Sequence, residues 1–458
     1  MARPEHPAGS PARPPGPQPP AGITPSAPLD AEIRLPPSKS LTQRALVCAA
    51  LAAGPSRLAT PLESGDTLHL LTALRGLGGR IESSGDAWLV EGFPSLFPSP
   101  GGVLDVGSNG TAMRFLIPLT ALGKGSWTLD GSERLRLRPV GDLLAALAPL
   151  GVEVRSSRGD GFPPVEVRAT GLPGGSISVR GEISSQFLSG LLLAAPRARG
   201  ELRIEVHGPL VSRPYVGLTL EVMRRFGATV LVEGWDEAPA PARVRGPGPL
   251  TFRVQPAGYR PADFAVEGDA SSACWWFAAA AVTGGRVRVR SIPPGSAQGD
   301  LGFLRLLEEM GCRVVRPAGP GDDSIDLEAG SLRGVDADLS DMPDVAPALA
   351  AVALFASSPT RIRGAAHLRL KESDRIAGIA ALAGSLGALA EEHRDGLTIR
   401  PGPLRGATID PLDDHRLAMA GAVAGLAIPG VRILDPGCVR KSYPGFFEEL
   451  ARVSRPRK

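Results

Sequence analysis

One short pattern recurs five times along this chain, and it limits the possible folds more than any composition figure does. An apolar helical stretch ends in a bulky apolar residue, then Gly, then strand-like alternation. The copies are Leu77-Gly78-Gly79-Arg80-Ile81, Leu150-Gly151-Val152-Glu153-Val154, Phe226-Gly227-Ala228-Thr229-Val230, Met310-Gly311-Cys312-Arg313-Val314 and Leu386-Gly387-Ala388. Successive pattern glycines are 73 to 84 residues apart. Each Gly suits a left-handed helix C-cap. A period-2 strand, a turn and a second strand follow, as in Val152 to Val154 with Val165 to Val167, or Val314 to Val315 with Ile325 to Leu327. The pattern predicts a helix feeding a β-hairpin. The period exceeds that of solenoid repeats, so each unit reads as a small α/β fold. Pro and Gly cluster between residues 235 and 262 and suggest a break there, giving two lobes of about three units each.

A length of 458 residues allows several cores. With 43% hydrophobic and 21% charged residues the chain reads as a soluble globular protein. A net charge of +3 and 5% aromatics give no footing for nucleic acid. Apolar runs such as Val345 to Ala356 and Leu417 to Pro429 are too short or too broken by Gly and Pro to span a bilayer. The first 29 residues are rich in Pro, Ala and Gly, which predicts a disordered tail. No secretory signal opens the chain, so a cytoplasmic protein is the expectation. Cys48, Cys274, Cys312 and Cys438 are scattered without a C-x-x-C pair, and the six histidines show no ligand spacing, so no metal is expected. Neither G-x-x-x-x-G-K-[ST] nor a strand-placed G-x-G-x-x-G occurs, which argues against an NTPase or a dinucleotide enzyme.

The chain holds five lysines against forty-five arginines. Where Arg is so favoured, a retained Lys marks a place where a compact ammonium with a shiftable pKa differs from a rigid guanidinium. Lys39 lies in Pro-Pro-Ser-Lys-Ser, Lys371 in Leu-Lys-Glu-Ser-Asp-Arg, and Lys441 in Arg-Lys-Ser-Tyr-Pro. Lys124 and Lys458 read as solvated surface.

Cations also gather at predicted helix starts. Ser38 or Ser40 can cap a helix from Leu41 with Arg44 in its first turns. The turn Gly107 to Thr111 precedes a helix over Met113 to Leu122 that opens with Arg114. Ser373 can cap a helix with Arg375 in its first turn, and Asp413-Asp414 one that begins His415-Arg416. A helix N-terminus is already partly positive, so a cation there costs about 0.3–1 kcal/mol. Four such starts make sense if backbone N–H groups and cations converge on a multiply anionic substrate. Beside them stand two acids. Asp344 reads either as an N-cap or as an acid/base group, and Glu372 either as an i,i+3 partner of Arg375 or as an acid/base group.

These residues resemble the motifs of the enolpyruvyl transferases, in the branch that acts on shikimate 3-phosphate. The resemblance spans about Glu32 to Leu450. It rests on Pro37-Ser38-Lys39-Ser40 with Arg44, Gly110-Thr111-Ala112-Met113-Arg114, Arg134-x-Arg136-x-Arg138-Pro139 and Ser184-Ser185-Gln186-Phe187-Leu188. It continues through Ser212-Arg213-Pro214-Tyr215, Glu267-Gly268-Asp269-Ala270-Ser271-Ser272, Pro343-Asp344, Lys371-Glu372-Ser373-Asp374-Arg375, Asp414-His415-Arg416 and Lys441-Ser442-Tyr443-Pro444. The resemblance implies an α/β fold, a two-lobed inverse α/β barrel with three βαβαββ repeats per lobe. Residues 38–266 would form the N-terminal lobe. Residues 30–37 and 267–458 would form a discontinuous C-terminal lobe, with the active site in the cleft between them.

By the same resemblance Lys39, Ser40, Arg44, Ser184, Ser185, Gln186 and Ser212 would contact shikimate 3-phosphate, and Asp344 and Lys371 its hydroxyls. Lys39, Gly110, Arg134, Gln186, Arg375, Arg416 and Lys441 would surround phosphoenolpyruvate. Asp344 would take the proton of the 5-hydroxyl, and Glu372 or Lys39 would protonate the phosphoenolpyruvate methylene. A ketal would form and lose phosphate, with no metal or organic cofactor and a monomer as the working unit. The chain departs from the family pattern at Asn109, one place along from the usual Asn of the glycine loop, and at His367, where some members have Asn. The sister enzymes that use UDP-N-acetylglucosamine have Asn after the first Lys and usually a reactive loop Cys. Here Ser40 follows Lys39 and the first lobe has no such Cys. A non-catalytic phosphate-binding relative would have lost Lys39, Asp344 or Glu372, and all three are present.

Overall fold

The computed structural model describes residues 18–93, 97, 101–235, 243–245 (backbone only), 249–316 and 321–456. All five pattern glycines have positive φ, between 72° at Gly151 and 111° at Gly311. At four of them the chain closes a Schellman motif. Gly79 N donates to Leu74 O, Ala228 N to Met223 O, Cys312 N to Leu307 O and Ala388 N to Ala383 O. The expected hairpins follow. Glu153–Ser156 pairs antiparallel with Val165–Thr170, Val154 opposite Val167, and Arg313–Val315 pairs with Ile325–Glu328, Val314 opposite Leu327.

The full unit is visible in the second repeat. Strand Gly101–Asp105, helix Gly110–Thr120, strand Lys124–Asp130, helix Gly141–Leu147 and the hairpin Glu153–Ser156/Val165–Thr170 form one sheet with one parallel and two antiparallel pairings. Among the described residues, five of six sheets contain this set of pairings. In each unit the first helix is buried on almost every face, as Lys39–Leu51, Ala270–Thr283 and Ala346–Ala353 show. Such helices lack a polar face and so belong inside, with the sheets around them. This is the inverse α/β barrel.

Two hydrophobic cores divide the molecule. One gathers buried residues from Leu41 to Val266; the other joins Leu29, Ile33 and Leu35 to residues 270–453. Strand Asp30–Arg34 pairs in parallel with Arg286–Arg290 of the second core, and Asp263–Ala265 pairs in parallel with Ser56–Ala59 of the first. The chain therefore crosses between cores twice, side by side. Ser38 N donates to Glu267 O at 2.8 Å, and Asp269 N to Pro36 O at 2.9 Å. The break expected from Pro and Gly at 235–262 is misplaced. Thr251–Val254 and Asp263–Ala265 are strands of the first core, so that core runs on past the expected break; residues 236–242 and 246–248 of that stretch lie outside the described residues.

The sixth unit departs from the plan. Thr408–Ile409, helix His415–Gly425, Arg432–Ile433 and helix Phe446–Val453 are not followed by a hairpin. Instead Ala21–Gly22 pairs antiparallel with Arg432–Ile433, supplying the missing strand from the other end of the chain. The disordered tail expected over 1–29 is therefore corrected for residues 18–29. Ile23 N donates to Val431 O, and Ser26 N to Leu426 O. The earlier part of that tail, and Lys458, lie outside the described residues.

Candidate active site

The six units bring the start of their first helices to one cleft. Lys39 and Ser40 open the first, Gly110, Thr111 and Arg114 the second, and Ser184, Ser185 and Gln186 the third. Ser271 and Ser272 open the fourth, Asp344 stands in the 3-10 turn before the fifth, and His415 and Arg416 open the sixth. A helix N-terminus carries partial positive charge, so six of them turned to one cleft favour an anion there. Asn109, Ser184, Asp269 and Asp414 cap four of these helices through their side chains. Asp414 thus fills its expected capping place. The helix at 375 is capped by Asp374, one residue past the expected Ser373. Ser373 Oγ instead donates to Asp414 Oδ2 at 2.9 Å.

Two guanidiniums in this cleft make no ion pair among the described residues. Arg44 is buried and donates only to neutral acceptors: Thr219 Oγ1 at 2.8 Å, Ser40 O at 3.0 Å and Tyr215 O at 3.1 Å. Burial pushes its pKa down to about 10. Arg114 donates to Gly110 O, Gln186 Oε1 and Pro139 O, and its Nε has no partner. Burial first, then the neighbouring Arg138, holds its pKa well below the ordinary value, against a partial opposing pull from Glu372. A buried cation without a counterion is costly and is compensated only by an anion brought into contact.

The opposite wall is a cation–carboxylate lattice. Arg375, 1% exposed, donates from Nε to Asp414 Oδ2 at 2.8 Å, from Nη1 to Asp344 Oδ1 at 2.9 Å and from Nη2 to Glu372 Oε2 at 2.7 Å. Arg416 grips Asp344 through both its backbone O, at 2.8 Å, and Oδ2, at 3.1 Å. Lys371 Nζ lies 3.6 Å from Asp344 Oδ1. Burial pushes the Asp344 carboxyl up, but Arg416, Lys371 and Arg375 outweigh it and hold it well below its usual range. Burial likewise raises Glu372, and Arg375, Arg138 and Lys441 reverse the effect. Lys39 Nζ pairs with Asp66 Oδ2 at 2.9 Å.

Of the residues named from the sequence, Lys39, Ser40, Arg44, Gly110, Ser184, Ser185, Gln186, Ser212, Asp344, Lys371, Glu372, Arg375 and Arg416 line the cleft. Two lie just behind its wall. Arg134 donates to the backbone O of Glu372 at 2.5 Å and of Lys371 at 3.1 Å, tying the first lobe to the Lys-Glu segment. Lys441 Nζ donates to Ser108 O at 2.9 Å and lies 3.7 Å from Glu372 Oε1. The displaced Asn109 faces away. It is fully buried, caps Ala112 N, and donates to Gln43 Oε1 and Asp66 O. His367 lines the cleft with Nε2 unpartnered, and burial pushes its pKa down to about 4, so it is a neutral hydrogen-bonding group.

Sequence reasoning missed Asp66, Arg138, Tyr215 and His415 as cleft residues. Arg138, Tyr215 and His415 stood inside quoted motifs without a role of their own, and the cation-rich Arg134-x-Arg136-x-Arg138 run was the available signal for Arg138. Asp66 offers no such signal, because it becomes functional only where the second helix of the first unit meets Lys39.

The sequence profile of EPSP synthase (3-phosphoshikimate 1-carboxyvinyltransferase) matches residues 23–450. The 3-phosphoshikimate 1-carboxyvinyltransferase of Methanoculleus marisnigri is 43% identical over 431 residues, 93% of this chain and 98% of that protein. That of Vibrio atlanticus is 40% identical, over 94% of this chain and 99% of its own length. Among solved structures, EPSP synthase from Acinetobacter baumannii superposes with a TM-score of 0.76 at 26% identity, covering 94% of this chain and 97% of its own. Near full-length matches at this identity, on the same two-lobed frame, leave one conclusion: the chain belongs to the EPSP synthase family.

Proposed function

We propose that this cleft transfers the enolpyruvyl group of phosphoenolpyruvate to the 5-hydroxyl of shikimate 3-phosphate, by addition and then elimination of phosphate, with the following residue roles. The observation that carries the assignment is the pair of buried guanidiniums, Arg44 and Arg114, held only by neutral acceptors. Each needs an anion, and the two substrates together bring two phosphates and two carboxylates. Arg44, Lys39, Ser40, Ser184, Ser185, Gln186 and Ser212 hold shikimate 3-phosphate, with Asp344 and Lys371 at its hydroxyls. Lys39, Gly110, Gln186, Arg375, Arg416 and Lys441 surround phosphoenolpyruvate. Arg134 acts through the Lys371–Glu372 backbone it grips.

Asp344 takes the 5-hydroxyl proton. Glu372 is held ionised by Arg375, Arg138 and Lys441. Phosphoenolpyruvate against those cations neutralises them and lets the Glu372 carboxyl rise toward its protonated form, fit to donate to the methylene. Lys39 stands as the second donor. Fixed cations and helix starts stabilise the anionic ketal. The two lobes meet at residues 38 and 266 and close on the substrates. Both cleft walls come from one chain, which supports a monomer. Four unpaired cysteines fit a reducing cytoplasm. The test is product identity. Mass spectrometry of the two-substrate reaction finds 5-enolpyruvylshikimate 3-phosphate, and an enolpyruvyl adduct of any other acceptor overturns the assignment.

A further inference from the structure

Behind Asp344 lies a second carboxylate that no proposed role has used. Asp300, 3% exposed, sits in the short turn Gly299–Gly302, out of the cleft. Tyr215 Oη lies 3.3 Å from Asp300 Oδ2 and 3.4 Å from Asp344 Oδ2, so one hydroxyl bridges two carboxylates. Ser271 Oγ also donates to Asp300 Oδ2. A phenol has one proton and can donate to one acid at a time. With both acids ionised, the chain Asp344–Tyr215–Asp300 is one proton short.

We propose that Asp300 is a positioning residue that receives, through the Tyr215 hydroxyl, the proton Asp344 takes from the 5-hydroxyl of shikimate 3-phosphate. This rests on Asp344 acting as the base. The proton passes from the 5-hydroxyl to Asp344 Oδ2 as the 5-oxygen bonds to C2 of phosphoenolpyruvate. Asp344 then gives it to Tyr215 Oη while the phenol's own proton moves to Asp300. During elimination the C2–phosphate oxygen bond breaks, the methyl returns its proton to the donor that supplied it, and the stored proton retraces its path and leaves with the phosphate. Hydrogen bonds of this length tighten once substrate completes the chain.

The charges around the chain set its direction. Asp344 faces Arg416, Lys371 and Arg375, which make it a poor place to keep a proton. Asp300 faces Tyr215 from helix Arg213–Arg225, Ser271 and Cys274 from helix Ala270–Thr283, Asp269 at that helix's cap, Asp344 across the phenol, and the cation Arg416. Burial, and then the Asp344 charge, push the Asp300 carboxyl up to about 6. At neutral pH it is ionised and the better proton acceptor of the two.

The test compares wild type, Asp300→Asn, Asp300→Glu and Tyr215→Phe by kcat, KM for shikimate 3-phosphate and the pH profile of kcat/KM. Wild type is expected to show an acid limb near pH 6. Asp300→Asn and Tyr215→Phe lower kcat at least about tenfold, keep KM within about twofold and lose that limb, and Asp300→Glu restores it. A folded Asp300→Asn or Tyr215→Phe enzyme that keeps the limb, or loses activity only through KM, overturns the relay. If Asp300→Asn does not fold, Tyr215→Phe decides alone. Asp344→Asn separates the two claims. If it keeps kcat and loses only binding, the base assignment fails; if it loses kcat while both relay variants retain theirs, the relay alone fails.

Discussion

Arg375 Nη1 donates to Asp344 Oδ1 at 2.9 Å while its Nη2 holds Glu372 at 2.7 Å, so one guanidinium couples the proposed base to the proposed proton donor. Removing it leaves the buried Asp414 and the half-buried Asp344 and Glu372 without their shared cation. Arg375→Ala should lower stability by about 3–5 kcal/mol. Denaturant unfolding checks this, and a loss below about 1 kcal/mol would contradict the lattice.

Lys39 pairs with Asp66 at 2.9 Å and opens the first helix into the cleft. Arg keeps the charge but adds a planar fork and gives up a proton far less readily. Lys39→Arg should cut kcat at least about 100-fold with an unchanged melting temperature. Wild-type turnover in that variant would remove the argument from lysine retention.

At Gly110 an added Cβ would stand 2.5 Å from Arg114 Nη1 and 2.5 Å from Arg138 Nη1. Both guanidiniums must then shift, and with them the wall of the proposed phosphoenolpyruvate site. Gly110→Ala should raise KM for phosphoenolpyruvate about tenfold or more while KM for shikimate 3-phosphate changes little. Steady-state kinetics with each substrate varied in turn reads the split; equal increases in both would place Gly110 elsewhere.

Arg44 is a buried cation with neutral partners only. Arg44→Gln removes an uncompensated charge, so calorimetry should find a melting temperature held or raised, while the dissociation constant of shikimate 3-phosphate rises at least about tenfold. A strongly destabilised protein with normal affinity would mean that Arg44 serves the fold.

The raised Asp300 carboxyl makes a pH prediction with a definite sign. Its folded pKa, about 6, lies above its ordinary value of 3.8, so the folded protein binds this proton more tightly than the unfolded chain. Its contribution to stability is fully present below about pH 4 and is lost as pH rises through 6. Asp300→Asn lacks this term. Its stability relative to wild type should therefore rise between pH 4 and 7, as paired urea titrations would read. A flat difference would contradict the raised carboxyl.

How much of this could be read from the chain depended on whether a feature is local. The Schellman glycines and the hairpins after them are set by neighbouring residues, and Gly78, Gly151, Gly227, Gly311 and Gly387 all took the conformation that their pattern implied. The crossing between cores is not local. It is made by backbone bonds between Ser38 and Glu267 and between Asp269 and Pro36, far apart in sequence, while the strands Thr251–Val254 and Asp263–Ala265 beyond the Pro/Gly cluster still belong to the first core. Ala21–Gly22 joins a sheet because Arg432–Ile433 offers an edge, not because its own residues favour a strand.

The same division holds in the cleft. Cations at helix starts were legible because local electrostatics disfavours them there, and Arg114, Arg375 and Arg416 all stand in one cleft. Asn109 stood beside the expected position, yet it turns inward to Gln43 and Asp66 and serves the glycine turn. Asp66 and Asp300 gain meaning only from Lys39 and Tyr215, which folding brings to them.

The most direct measurement of the central claim is phosphate release by the purified protein with substrates supplied singly and in pairs. Release is expected only when shikimate 3-phosphate and phosphoenolpyruvate are present together. Release with phosphoenolpyruvate and UDP-N-acetylglucosamine, or none with the predicted pair, would contradict it.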